Sequence, residues 1–379
     1  MLEIQNISKS YGKTKVVKDL NLTINKGELI VLIGESGCGK STTMQMINRL
    51  IEPTKGSIKI NGINIKSINK NELRRNIGYV IQNVGLFPHY TIEENIGTVP
   101  ALCKKNPLET KEKIKELMDT VGLDYEIYGQ RYPRELSGGQ QQRIGVARAL
   151  ANNPDIILMD EPFSALDPLT REQLQDELLN LNDELGKTII FVTHDMDEAI
   201  KLGTKIAIMQ DGVIVQYDTP EELLRNPVND FVETFIGKNR LWKTPDLLKA
   251  EDVMMESLIV IEESRNVVQA IETMKKHNSN VLAIVETYKG KKKLMGLLGS
   301  NRLLRKMEPN TLVRDIMKTD VHKIKHDTPL TEVLTIREEK NVFHSPVVDE
   351  NGSLLGMITN TSILNVLSQI MPGMEGEDY

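Results

Sequence analysis

The chain has 379 residues and a formal charge of −6, with 40% hydrophobic and 26% charged residues. That length calls for more than one domain of roughly 100–200 residues, and the composition excludes a disordered or fibrous chain. The acidic balance argues against a nucleic-acid binder, which carries a basic face, and no apolar run approaches the ~20 residues that span a bilayer.

Met1-Leu2-Glu3-Ile4 lacks the basic stretch and apolar core of a secretory signal. Of the two cysteines, Cys38 and Cys103, the first lies in a glycine-rich loop, so a reducing compartment without a structural disulfide is expected. A thiol in such a loop, at a helix start, is expected to have a depressed pKa and to react readily. Residues 1 to about 220 read as alternating strands and helices. Glu28-Leu29-Ile30-Val31-Leu32-Ile33 is a short apolar strand broken by Gly34. A helix is expected from Lys40 through Met44, Met46, Ile47 and Leu50, ended by Pro53 and Gly56. Ser137, Gly138 and Gly139 open a second helix that carries Arg143, Val146, Ala147 and Leu150 and stops near Asn153-Pro154. Ile156–Met159 is a buried strand by its continuous apolar run. Leu174, Leu178, Leu181 and Leu185 form one helical face that Gly186 ends, and Thr188–Val192 is the next strand. This rhythm implies a parallel sheet with crossover helices.

Residues 220–250, interrupted by Pro220, Pro227 and Pro245 and holding the only tryptophan, Trp242, read as a linker that partly packs on both neighbours. From about residue 250 the chain repeats itself. Asp252-Val253-Met254 recurs as Asp315-Ile316-Met317, and Leu294-Met295-Gly296-Leu297-Leu298 recurs as Leu354-Leu355-Gly356-Met357-Ile358. Each copy of ~60 residues, too few in number for a solenoid, holds a helix and then an apolar strand, Val281–Val285 or Pro346–Val348. Asn351-Gly352 reads as a hairpin turn. The acidic tail, residues 372–379, is expected to be flexible.

Gly34-Glu35-Ser36-Gly37-Cys38-Gly39-Lys40-Ser41 fits the phosphate-loop pattern G-x-x-x-x-G-K-[ST], after a strand and before a helix as the pattern requires. Glycines let backbone N–H groups turn inward onto phosphate oxygens, and the helix start adds its dipole. Lys40 is expected to reach the β- and γ-phosphates and Ser41 to ligate Mg²⁺ through a hard oxygen. Asp160 and Glu161 end the strand Ile156–Met159; such a pair is either catalytic or a solvated strand end. A Ser hydroxyl and bare glycine N–H groups at 137–139 make an anion site at a helix start.

Taken in order, these motifs resemble those of ATP-binding-cassette (ABC) ATPases, and Leu136-Ser137-Gly138-Gly139-Gln140 resembles that family's signature. The resemblance covers residues 1–240 and implies an α/β P-loop domain with a mixed-sheet core and a helical signature part over about 83–155. It implies ATP binding by Tyr11, Gly34, Ser36, Gly37, Cys38, Gly39, Lys40, Ser41 and Thr42, with Tyr11 stacking on adenine. It implies Mg²⁺ held by Ser41, Gln82 and, through water, Asp160, with Glu161 as the base that orients the attacking water. Gln82 resembles the Q-loop glutamine, Ser164-Ala165-Leu166-Asp167 the D-loop, and His194 the switch histidine that touches the γ-phosphate. Ser137, Gly138, Gly139 and Gln140 would act on ATP held by a second copy of the chain. The runs Arg134–Arg143 and Glu161–Pro168 look like those of bacterial importer ATPases. That class implies transmembrane permease subunits as partners, a periplasmic or extracellular substrate-binding protein indirectly, no nucleic acid, and a peripheral place at the cytoplasmic face of the membrane.

The repeats look like a tandem pair of CBS domains, an α+β module, over 250–308 and 309–371 after a linker at 241–249. An importer ATPase followed by such a pair resembles the osmoprotectant group, which takes up quaternary amines such as glycine betaine, carnitine and choline. The pair could serve dimerisation alone, sense ionic strength through Lys289, Lys291, Lys292 and Lys293, or bind a regulator. Resemblance points to adenosine nucleotides or cyclic di-AMP. The usual nucleotide motif ends in aspartate, yet Gly356-Met357-Ile358-Thr359 leads to Ser362 and Gly296-Leu297-Leu298-Gly299 lacks the threonine. That argues against a simple AMP or ATP sensor and leaves room for a dinucleotide held by backbone and apolar contacts at a dimer cleft, with Val281, Ala283, His344, Met357 and Thr359 as candidate walls. Other readings are import of another small solute and a nucleotide sensor that does not hydrolyse ATP.

Overall fold

The computed structural model describes residues 1–82, 85–164, 166–237, 240–288, 290–303, 308 and 310–370, with backbone alone at 181, 183–185, 242, 243, 245 and 367–370. The acidic tail, Ala165 of the D-loop and Lys289 of the basic run lie outside the described residues, as do the side chains of Leu181, Leu185 and Trp242. The chain forms two units, Met1–Gly237 and Lys238–Tyr379.

In the first unit the strands are β1 (Leu2–Tyr11), β2 (Thr14–Ile24), β3 (Leu29–Gly34), β4 (Lys55–Ile60), β5 (Ile63–Asn64), β6 (Ile77–Val80), β7 (Ile156–Asp160), β8 (Thr188–Thr193), β9 (Lys205–Gln210) and β10 (Val213–Asp218). Six of them form one sheet in the order β10-β9-β3-β8-β7-β6, parallel throughout except that β10 runs antiparallel to β9. Every residue of β3, β7 and β8 is buried. Successive side chains of a strand point to opposite faces, so each face has its own core. Leu29, Val31, Ile33, Ile157, Met159, Ile189 and Phe191 pack with the helices Ile92–Leu102, Pro107–Thr120 and Gly138–Leu150. Ile30, Leu32, Ile156, Leu158, Ile190 and Val192 pack against a second sheet.

That second sheet is antiparallel, in the order β2-β1-β4-β5. It replaces the strand–helix alternation expected from the N-terminus. Its signal is a period of two, with Leu20, Leu22 and Ile24 buried and Asp19, Asn21 and Thr23 exposed. The helix after the phosphate loop is also shorter than expected, Lys40–Ile47, and Leu50 is exposed. Arg49 adopts φ +49° and its guanidinium donates to the carbonyls of Ile65 and Ile68 at 2.7 and 2.8 Å. Satisfying those buried carbonyls fixes the turn that ends the helix.

The second unit holds two three-stranded sheets, β11 (Val260–Glu262), β12 (Val281–Tyr288) and β13 (Lys291–Gly299), then β14 (Ile324–Lys325), β15 (His344–Val348) and β16 (Leu354–Thr359). In each, the first strand pairs parallel with the second across a helix, Val267–His277 or Leu330–Glu339, and the second pairs antiparallel with the third. At the Asn351-Gly352 turn, Gly352 adopts φ +77° and Asp349 Oδ1 accepts from the backbone N–H groups of Asn351 and Ser353 at 2.9 and 2.7 Å. The two sheets share an apolar layer of Ala283, Val285, Leu294, Val348, Leu354 and Met357.

The repeated Asp-x-Met segments do not pack where their place in the chain suggests. Met254, at the head of the first copy, lies against Gly356 of the second, and Met317, at the head of the second, lies against Gly296 of the first. A Cβ at Gly356 would collide with the Met254 thioether. Gly356→Ala should therefore destabilise the second unit by about 1–3 kcal/mol, seen as a lower Tm, and Met254→Ala in that background should recover part of the loss.

Candidate nucleotide site

Three parallel strands end at one edge of the large sheet. Ile33 of β3 pairs with Thr193 of β8, and Asp160 of β7 pairs with Val192, so the phosphate loop, Glu161 and His194 follow from neighbouring strand ends. Loops beyond the carboxyl ends of parallel strands are where open α/β sheets place ligands.

Gly34 turns the chain out of β3 at φ +155°, and any Cβ there would strike the carbonyl oxygen of Met209. Gly39 closes the loop at φ +105° as the residue capping Lys40–Ile47. Its carbonyl accepts from the Thr43 N–H and hydroxyl, both at 2.9 Å. Lys40 is buried, and its ammonium donates to the carbonyls of Gly34 and Glu35 at 2.7 and 2.9 Å, which holds it inside the loop. Ser36 and Gly37 are exposed at the loop's crest, with Gly37 at φ +82°, and Thr42 is half-buried one residue beyond Ser41.

Ser41 donates its hydroxyl to Asp160 Oδ1 at 3.1 Å. Burial pushes the Asp160 carboxyl above its ordinary value, opposed by the Ser41 hydrogen bond and reinforced by the neighbouring charge of Glu161. Next in chain, Glu161 adopts φ +48°, a left-handed conformation that a residue with a Cβ seldom takes and that costs of order 1–3 kcal/mol. Its N–H donates to the Val192 carbonyl at 3.0 Å, which holds that turn against β8. Gln82 Nε2 donates to one Glu161 oxygen at 3.0 Å, and His194 Nδ1 lies 3.5 Å from the other. Lys40, Ser41, Asp160, Glu161, Gln82 and His194 are thus brought to one edge, whereas Asn83 of the Q-loop lies outside the described residues.

A further group flanks His194 in the chain and was not singled out in the sequence. Thr193 donates to the buried Glu198 carboxylate at 2.5 Å and accepts from the Asp195 N–H at 3.0 Å. Burial raises the Glu198 pKa, against the hydrogen bond from Thr193. Asp195 caps the helix Met196–Leu202 through the N–H groups of Asp197 and Glu198. The signal was local: an Asp two residues after a strand, with acidic residues in the next turn.

The signature residues have other partners. Ser137 caps Gly138–Leu150 by accepting from the Gln140 N–H at 3.3 Å, and its own N–H donates to Gln140 Oε1 at 2.9 Å. Gln140 Nε2 also donates to the Tyr128 hydroxyl at 3.3 Å. A Cβ at Gly138 would meet nothing within 4 Å, whereas one at Gly139 would press on Leu166 at 3.1 Å. Ser164 donates to the Glu161 carbonyl at 3.0 Å, and Asp167 caps Pro168–Leu185 through the Thr170 N–H. Tyr11 is exposed, with the Lys9 ammonium 5.1 Å from its ring centre. Its hairpin returns past the phosphate loop, where Val17 and the Val16 carbonyl come within 3.0 and 3.1 Å of the place a Gly39 Cβ would take.

The expectation of a reactive Cys38 is corrected. Its side chain is buried, and burial raises the thiol pKa despite the Lys40 ammonium 3.8 Å away. The loop glycines fold the thiol inward toward Gly34 rather than presenting it at the helix start.

In the second unit Ala283 and Met357 are buried in the layer between the sheets. Val281, His344 and Thr359 stand at strand ends, with His344 paired to Thr359 across β15 and β16. The Thr359 hydroxyl accepts from the Ser362 N–H at 3.1 Å, so the pair opens the helix Asn360–Ile370 with Ser362 in the place of the usual aspartate.

An ABC transporter family model matches residues 17–164, and a CBS domain model matches residues 250–309 and 313–369. The carnitine transport ATP-binding protein OpuCA of Listeria monocytogenes is 48% identical over 97% of this chain and 92% of its own length. The chain belongs to the ABC-transporter ATP-binding subunits that carry tandem CBS domains. The glycine betaine/carnitine/choline transport ATP-binding protein OpuCA of Bacillus subtilis is 45% identical to this ABC subunit, over 99% of this chain and 98% of its own. The osmoprotectant import ATP-binding protein OsmV of Salmonella typhimurium is 41% identical over 97% and 96%. A dimeric bacterial ABC transporter cassette, MJ0796, superposes with a TM-score of 0.55 at 36% identity, over 58% of this chain and 99% of the cassette. The same cassette is also known in a post-hydrolysis state bound to ADP and Pi. The first unit of this subunit is thus an ABC ATPase that binds ATP. Among the described residues no helix is long and apolar enough to cross a membrane.

Two outcomes follow from the site's electrostatics. The raised pKa of Asp160 means that the folded state disfavours its ionised form. That penalty is present at neutral pH and is lifted as pH falls through the raised value. Without nucleotide or divalent cation, Asp160→Asn should raise the Tm by ~2–4 °C per kcal/mol relieved, with a larger gain at pH 8 than at pH 5. A maleimide should label the partly exposed Cys103 well before the buried Cys38 in the folded protein, as read by peptide mass spectrometry.

Proposed function

We propose that the protein is the ATPase subunit of an importer for a quaternary-amine osmoprotectant such as carnitine, glycine betaine or choline. The observation that carries this reading is the meeting of the phosphate loop, Asp160, Glu161, Gln82 and His194 at one sheet edge, in a chain whose full-length relatives at 45–48% identity carry those transport names. Relatives named for transport support attachment to the cytoplasmic face of the membrane through permease subunits.

In this reading the loop N–H groups and Lys40 hold the β- and γ-phosphates, and Tyr11 stacks on adenine. The buried Asp160, held above its ordinary pKa beside the Ser41 hydroxyl, is a donor set of hard oxygens that suits Mg²⁺. Ser41, Gln82 and Asp160 would hold the ion, which would neutralise charge on the phosphates. Glu161 takes the proton of the attacking water, and its left-handed backbone with its Gln82 and His194 partners fixes the carboxylate's aim. Ser137, Gly138, Gly139 and Gln140 complete the site of a second copy. Gly138, open on its Cβ side, leaves room for a phosphate from that copy.

The first unit offers a groove that suits a permease helix. A cleft of about 600 Å³ lies between Ile92–Leu102 and Pro107–Thr120. Its lining includes the small residues Gly97 and Ala101 together with Tyr90, Glu94 and Lys111. A cleft lined by small, apolar and charged residues together fits an amphipathic helix. The CBS pair regulates transport, with cyclic di-AMP as its ligand at a cleft that includes Val281, Ala283, His344, Met357 and Thr359.

Glu161→Gln should bind ATP with affinity near wild type and hydrolyse it at least ~10²-fold more slowly; near-normal turnover would remove Glu161 as the base. Ala101→Trp should keep ATP binding while losing co-purification with the permease and solute uptake.

A further inference from the structure

Two loops at the catalytic edge of the first unit are bridged by one side chain. Arg171 lies in the first turn of the helix Pro168–Leu185, just after the D-loop. Its Nη2 donates to the Leu166 carbonyl at 3.2 Å, and its backbone N–H donates to that of Asp167 at 2.9 Å. The same guanidinium faces the segment that follows β8. Nη1 lies 3.9 Å from Asp195 Oδ2, and Nε lies 3.8 Å from Glu198 Oε1. Nε is buried and has no hydrogen-bond partner among the described residues. Hydrogen bonds to oxygen close at about 2.7–3.2 Å, so the fork is held at the D-loop and stands just short of two carboxylates. A buried donor left unpaired is unfavourable, which draws the guanidinium toward them.

Those carboxylates are built into the backbone on either side of His194. Glu198 is buried, and its Oε2 accepts from the Thr193 hydroxyl at 2.5 Å, which leaves Oε1 for Arg171. Burial pushes the Glu198 pKa up, while the Thr193 bond and the Arg171 charge pull it down, so the guanidinium helps keep this carboxylate ionised. The Thr193 hydroxyl accepts in turn from the Asp195 N–H at 3.0 Å, and Asp195 Oδ1 accepts from the N–H groups of Asp197 and Glu198 at 2.8 and 3.4 Å. Thr193 and Asp195 are the two neighbours of His194, so both peptide links that aim the imidazole belong to one bonded cluster. The ring itself is 68% exposed, with Nδ1 3.5 Å from Glu161. The aim of so exposed a ring is set by where its backbone is held. Ser164 of the D-loop meanwhile donates to the Glu161 carbonyl at 3.0 Å. Arg171 thus closes a circuit that runs through Glu161, Ser164, Leu166, Glu198, Thr193 and His194.

We propose that Arg171 is a positioning residue for ATP hydrolysis, which acts through Glu198 and Asp195 to fix the backbone around His194 and hence the approach of the imidazole to Glu161. The inference rests on the reading of Glu161 and His194 as hydrolytic residues. A planar fork suits the task, because one nitrogen holds the Leu166 carbonyl while two others face the carboxylates. Without it Glu198 is a buried carboxylate short of a cation, and the D-loop carbonyl loses its donor. The phosphate loop on β3 is untouched by that loss, so nucleotide binding stays while the aim of His194 is lost.

Steady-state ATP hydrolysis by the full chain with Mg²⁺ tests this, with kcat taken per nucleotide site counted by titration with a fluorescent ATP analogue, so that unfolded protein does not pass for slow turnover. Arg171→Met, which keeps an unbranched side chain, should lower kcat about tenfold and leave the KM for ATP within about twofold. Arg171→Lys, which keeps the charge, should stay within about threefold of wild type. Glu198→Gln, which can still accept from Thr193, should lower kcat as Arg171→Met does. The double variant should fall no more than about twofold below the slower single, because residues that act as a unit are not additive. Wild-type kcat in Arg171→Met, a raised KM with kcat unchanged, equal losses in Arg171→Met and Arg171→Lys, or losses that multiply in the double variant each overturn the proposal. His194→Ala separates it from the reading of the site. That variant should lower kcat at least about tenfold, and a normal rate would remove the histidine and the positioning role together. A slow His194→Ala beside a normal Arg171→Met removes the positioning role alone.

Discussion

Ser41 and Asp160 lie 119 residues apart in the chain and share a hydrogen bond of 3.1 Å. Everything chemical in the first unit depends on the parallel register that makes this contact. A slip of one residue would flip each strand's side chains to the opposite face, exchanging the layer against the helices with the layer against the N-terminal sheet. Burial of β3, β7 and β8 on both faces penalises such a slip at every position. The register is therefore held by apolar packing, and the polar groups at the strand ends inherit their spacing from it.

The same rigidity explains how the edge sustains unfavourable features. Asp160 is buried with its carboxyl pushed toward the neutral form, and Glu161 sits in a left-handed turn. Each costs free energy that the surrounding sheet supplies. Positive charge beside Asp160 would offset the first cost, while the second is steric and stays; such costs at one site are the pattern expected where stability has been traded for chemistry.

Much of this was legible in the sequence, because the informative strands are short, continuous apolar runs and the loops after them carry distinctive residues at fixed spacing. Lys40 was legible from the phosphate-loop pattern, whereas Asp160, Glu161 and His194 joined it only through the resemblance to ABC ATPases. The N-terminal sheet was overlooked although the alternation at Leu20, Leu22 and Ile24 encoded it. The burial of Cys38 could not be read, since the direction of a side chain in a glycine-rich loop follows from backbone angles that no neighbour reveals. Nothing local marks Arg337 for burial; its neutral partners come from two stretches, 343–345 and 358–360, that only the fold brings to it. The repeats themselves were plain, yet their exchange was not. Met254 and Met317 have equivalent local surroundings, and nothing local states which of Gly296 and Gly356 each will meet.

That exchange also bears on how such a pair can exist at all. A chain with one copy would present a core lacking its leading Asp-x-Met segment and a segment lacking its core. It could close only by trading those segments with an identical neighbour, which is a two-fold swapped dimer. Duplication within one chain makes the same trade covalent, so that assembly no longer depends on protein concentration. It also frees the two halves to diverge: Arg337 and Ser345 on one side, Met274 and Leu282 on the other, are a difference that a symmetric dimer of identical chains could not hold.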